Sequence, residues 1–95
     1  VITLAEKSPL TDVKDATLTL SGEALGQRVV RDLLIFVNNR KVFFKSNAGA
    51  ADADRGRLKF SARVPLESGV NRITVVARED DDMASRQTLY VNRAP

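Results

Sequence analysis

The chain has no cysteine and no histidine among its 95 residues. Without cysteine there is no disulfide framework to staple a small fold and no thiolate metal centre. Without histidine, most nucleophile–base pairings are gone as well. Tryptophan is also missing, and the aromatics come to four Phe and one Tyr, which leaves few planar platforms on which a base or a sugar could stack. No apolar run approaches the roughly 18 residues of a membrane-spanning helix, so membrane insertion is not expected. Fifteen Lys and Arg against twelve Asp and Glu give a net charge of +3, too small an excess to mark a nucleic-acid binder.

What is there describes a folded domain. The chain is 43% hydrophobic and 28% charged, the balance of a globular chain rather than a disordered one. Its length fits one domain with a single core. It starts at Val1 and ends at Arg93-Ala94-Pro95, which reads as a domain excised from, or processed out of, a larger protein.

The hydrophobic period is 2 almost everywhere. In RLKFSARV, Leu58, Phe60, Ala62 and Val64 share one face, and Arg57, Lys59, Ser61 and Arg63 the other. That alternation predicts a half-buried strand. VNRITVVAR puts Ile73, Val75 and Ala77 inward and Arg72, Thr74, Val76 and Arg78 outward, and ATLTLSG alternates Leu18 and Leu20 with threonines. In VRDLLIFVNNRKVFFKSN, two apolar runs flank Asn38-Asn39. Asn tolerates the positive φ of tight hairpin turns, so this pair predicts a hairpin. Strict pairing across it sorts Leu33, Ile35, Val37, Val42 and Phe44 to one face and Leu34, Phe36 and Phe43 to the other. About seven strands are expected, near 1–5, 15–22, 30–38, 41–46, 57–64, 70–78 and 85–92, with turns between them, KSPLTD and PLESG included. Strands at that spacing predict an all-β sandwich, with a barrel as the alternative.

Candidate sites follow from the same pattern. Lys59 and Ser61, and Lys45 beside Ser46, are the Ser–Lys neighbours a hydrolase would need, but nothing around them suggests a pocket or an oxyanion hole, so an enzyme is not expected. Asp80, Asp81 and Asp82, after Glu79, are the residues that would hold calcium if any did. The full EF-hand loop is absent, and a solvated acidic turn is the preferred reading. Arg57, Lys59, Arg63, Arg72 and Arg78 would make one basic face if their two strands were neighbours. Leu34, Phe36 and Phe43 are apolar where a two-layer sandwich needs no second apolar face. They are the expected docking surface for a polypeptide partner or a neighbouring domain, unless a loop covers them.

The spacing V-P-L-x-x-G-x-N-x-I-x-V-x-A, carried by Val64, Pro65, Leu66, Gly69, Asn71, Ile73, Val75 and Ala77, resembles bacterial immunoglobulin-like domains of secreted and cell-surface proteins over about residues 13 to 92. More narrowly, the stretches VRDLLIFVNNRKVFFKSN and FSARVPLESGVNRITVVARED resemble the C-terminal module of PDZ-containing carboxy-terminal processing (tail-specific) serine proteases. The resemblance implies an immunoglobulin-like antiparallel β-sandwich acting as a non-catalytic accessory module in a bacterial periplasmic, envelope or secreted protein. A serine–lysine catalytic pair would then lie in another domain, because no residue here matches that motif. The other class of function in view is a carbohydrate-binding or adhesive module of a secreted glycoside hydrolase or surface protein.

Overall fold

The computed structural model describes residues 1–4, 10–26, 29–51, 54–79 and 83–94. Among these the backbone forms β1 (Ile2–Leu4), β2 (Leu10–Val13), β3 (Thr17–Leu25), β4 (Asp32–Val37), β5 (Arg40–Ser46), β6 (Arg57–Pro65), β7 (Gly69–Arg78) and β8 (Ala84–Arg93). They build two sheets: sheet I in the order β1-β3-β6, and sheet II in the order β2-β8-β7-β4-β5. The sheets face each other across one core that includes Leu20, Leu33, Ile35, Val64, Ile73, Val75 and Val91. This is the expected sandwich, and not a closed barrel.

Alternation decides which side each strand buries. In β6, Leu58, Phe60, Ala62 and Val64 are buried while the residues between them are exposed. The strand can therefore sit only with that face on the core, because a one-residue slip would put all four in water. β3 pairs with β6 along its whole length, Thr17 opposite Pro65 through Leu25 opposite Arg57. At its centre Gly22 lets β1 come close: a Cβ there would stand 2.3 Å from the Thr3 carbonyl oxygen.

Sequence reasoning read Lys7 to Asp12 as a turn, but Leu10–Val13 is a strand that runs parallel to β8, Leu10 opposite Tyr90 and Val13 opposite Arg93. The start of the chain thus contributes β1 to sheet I and β2 to sheet II.

The passage from β6 to β7 also changes sheets. Pro65 ends β6, Leu66 turns inward and is buried, and Gly69 takes a φ of +85° where β7 begins. Asn71 holds this crossing. Its side chain is fully buried, at 0% exposure. Its Oδ1 accepts from the Glu67 amide at 2.8 Å and from Asn38 Nδ2 at 3.1 Å, and its Nδ2 donates to the carbonyls of Glu67 at 2.9 Å and Gly69 at 3.0 Å. The Val91 carbonyl lies within reach of the same nitrogen at 3.3 Å. A buried amide is tolerated here because both its ends are satisfied. Arg93 adds a bond from Nη1 to the Leu66 carbonyl at 3.1 Å.

The β4–β5 hairpin turns on Asn38 (φ 50°) and Asn39 (φ 71°), the paired positive φ of a type I′ turn. The hairpin itself was legible. Its side-chain register was not, because β5 carries a bulge: Phe36 pairs with Lys41 but Ile35 pairs with Phe43, so Val42 is an extra residue. A single inserted residue reverses the face of everything beyond it.

Candidate functional site: the outer face of sheet II

The bulge corrects the expected apolar patch. Phe43 stands opposite Ile35 and packs against the core, while Phe44 stands opposite Leu34 and is 49% exposed. Leu34 and Phe36 are half-buried on the outer face, as their parity indicates. The second apolar face therefore exists, with Phe44 in the place expected for Phe43. Val42, on the core side as expected, also packs against the core.

Cross-strand register extends this face across the sheet. One row runs Phe44, Leu34, Val76, Arg86, and the next toward the Asn38 turn runs Phe36, Thr74, Thr88. Above them Asp32 pairs with Arg78, and below them Arg72 pairs with Tyr90. Between the rows lies an open groove of about 390 Å³, floored by Leu34, Phe36 and Val76 and flanked by Arg78, Arg86 and Asn39. β4 and β7 are central strands, so their outward apolar side chains cover each other partly, and Val76 is 8% exposed.

Arg78 and Asp32 meet in a two-pronged bond, Nε to Oδ1 at 2.6 Å and Nη2 to Oδ2 at 2.6 Å. Asp32 is buried, and its partner is what makes a buried carboxylate tolerable here. The hydrogen bonds to Asp32, and then its negative charge, raise the Arg78 pKa above the ordinary arginine value, so Arg78 is a fixed cation at any working pH. The pair pins the guanidinium at the upper end of the groove. At the lower end, Arg72 Nη2 donates to Asn39 Oδ1.

The expected single basic face does not form. β6 belongs to sheet I and β7 to sheet II. Arg57, Lys59 and Arg63 therefore project from one side of the sandwich, and Arg72 and Arg78 from the opposite side. The condition that the two strands be neighbours fails because the Pro65–Gly69 stretch crosses between layers instead of joining neighbouring strands. Arg57 is moreover bridged to Glu23 at 3.4 Å, and Arg63 reaches Thr17 Oγ1 at 3.5 Å. Lys45, one of the Ser–Lys neighbours, donates to the Lys59 carbonyl at 2.7 Å and ties the β5 edge to the β6 edge. Asp80, Asp81 and Asp82 lie outside the described residues.

Sequence reasoning missed Val76 and Arg86 as members of the groove and Phe44 as the apolar residue beside Leu34. Val76 carried a signal, as a large apolar residue at an outward position between Thr74 and Arg78. Arg86 carried none, since its neighbours depend on the β7–β8 register.

No protein-family model matches the chain, and no curated protein matches it. Among solved structures it is similar to the Clostridium thermocellum CbhA fibronectin(III)-like modules, with a TM-score of 0.65 at 15% identity over 100% of both chains. That likeness, over two packed sheets of strands, gives the fold: the chain folds as an immunoglobulin-like β-sandwich, as the fibronectin(III)-like modules do.

Proposed function

We propose that the domain is a non-catalytic interaction module of a larger secreted or envelope protein, and that it docks to a neighbouring domain or polypeptide through the outer face of sheet II. One observation carries this reading: Phe44, 49% exposed, continues the half-buried Leu34 and Phe36 on the side of the sheet that the core does not use. Each large apolar side chain left in water forgoes about 1.5–3 kcal/mol of burial, and contiguous exposed apolar surface marks interaction sites. A parent of the carboxy-terminal processing protease type is supported by the sequence resemblance of residues 30–47 and 60–80 alone. The second reading, a carbohydrate-binding or adhesive module, is favoured by Tyr90, which is 44% exposed on the same face.

Hydroxyl-radical footprinting of Phe36 and Phe44 tests the docking reading. It compares the isolated domain with the full-length parent. Docking predicts severalfold slower labelling in the parent. Equal labelling in both would remove the reading, and slowing only on addition of oligosaccharide would replace it with the carbohydrate alternative.

A further inference from the structure

We infer that the groove on sheet II receives an extended, acidic polypeptide segment anchored by apolar side chains; the inference rests on the docking reading above and names its partner. The floor asks for apolar side chains, because Leu34, Phe36 and Val76 offer no hydrogen bond. The flanks ask for carboxylates. Arg78 and Arg86 stand at the upper side of the groove and Arg72 below it. Asp32 is the one acidic residue in these register rows, and it is already engaged. Asp32 takes Nε and Nη2 of Arg78, which leaves Nη1 of a guanidinium that is already held in place. A cation fixed in advance loses less freedom when an anion arrives.

Shape points to a chain rather than a compact ligand. The row from Phe44 to Arg86 crosses from β5 to β8 over neighbouring strands about 4.8 Å apart, so it spans about 14 Å. An extended segment of four or five residues, at about 3.3 Å each, covers that length. Alternate side chains would then reach the floor while those between them face the arginines. Asn39 and Thr74, at the groove wall, supply an amide and a hydroxyl for the segment's backbone.

The test uses the 95-residue chain and two fluorescein-labelled peptides of about ten residues, one alternating Glu with Leu and one alternating Lys with Leu, read by fluorescence anisotropy at low and at physiological salt. The acidic peptide is expected to bind saturably, more weakly as salt rises, and to shift the NMR signals of Leu34, Phe36 and Val76. Arg86→Glu is expected to weaken it about tenfold. Arg63→Glu changes net charge equally on the opposite face and should weaken it less than about twofold. Phe44→Ser should also weaken binding, and thermal melts confirm that each variant is folded. Equal binding of the basic peptide, or equal losses in Arg86→Glu and Arg63→Glu, would overturn the inference. So would a dimer of the chain that buries the same residues. If both peptides fail to bind while Phe44 is protected in the parent, the docking reading survives and the acidic partner does not.

Discussion

Replacing Asn71 by Ala tests how the sheet-changing crossing is held. The side chain has no exposure and makes its bonds to Glu67, Gly69 and Asn38 at 2.8–3.1 Å. Each intramolecular hydrogen bond is worth about 1 kcal/mol net, and each buried group left unpaired costs about 1–3 kcal/mol. Water can reach the Glu67 end, since Glu67 is exposed, so not every orphaned group is charged in full. The sum is a loss of about 2–4 kcal/mol, a large share of the 5–15 kcal/mol typical of a domain. At about 4–8 °C per kcal/mol for this size, the melting temperature should fall by about 10–25 °C. Urea unfolding followed by circular dichroism should show a lower midpoint with an unchanged slope. Asn71→Asp separates the two ends of the amide: it keeps the acceptor for the Glu67 amide, loses both donors, and sets a negative charge among carbonyl oxygens. At neutral pH it should be at least as unstable as Asn71→Ala. Glu67→Ala keeps the backbone bonds and should cost less than about 0.5 kcal/mol. A loss below about 0.5 kcal/mol in Asn71→Ala would refute the reasoning.

Three further outcomes are expected. Phe43→Ser should destabilise the fold by about 2 kcal/mol, while Phe44→Ser should stay within about 0.5 kcal/mol; the reverse order in urea melts would mean that the β5 bulge is misplaced. Gly22→Ala should cost about 1–3 kcal/mol, because the new Cβ meets a backbone oxygen that no side-chain rotation can move; hydrogen exchange should show β1 loosened first. Asn39→Gly suits the positive φ at the second turn position and should be neutral within about 0.5 kcal/mol, whereas Asn38→Ala should cost about 1–2 kcal/mol in strain and lost bonds.

The strands were legible wherever one face alone is buried. β6 could be read residue by residue because the core accepts only one of its two faces. The β4–β5 turn was legible because Asn-Asn has few other uses between apolar runs. What escaped depends on partners distant in sequence. The bulge at Val42 is defined only against β4, and it moved Phe43 to the core and Phe44 to the surface. β2 escaped because Leu10–Val13 is a short edge strand whose ladder is supplied by β8, some 80 positions away. The basic face failed for a related reason: alternation tells which side of a strand faces out, not which sheet the strand joins. Asn71 shows a signal left unused. It shares the inward parity of Ile73, Val75 and Ala77, and a polar residue at that parity marks a buried hydrogen-bonded anchor.

The parallel pairing of β2 with β8 has a mechanical consequence. The entering segment and the leaving strand lie side by side and point the same way, Leu10 opposite Tyr90 through Val13 opposite Arg93. Tension along the chain draws β2 one way and β8 the other. Their ladder is therefore loaded in shear, and its hydrogen bonds must give together instead of peeling one at a time from an end. Within a longer polypeptide, this seam would make the domain yield abruptly above a threshold force and transmit pull below it with little extension.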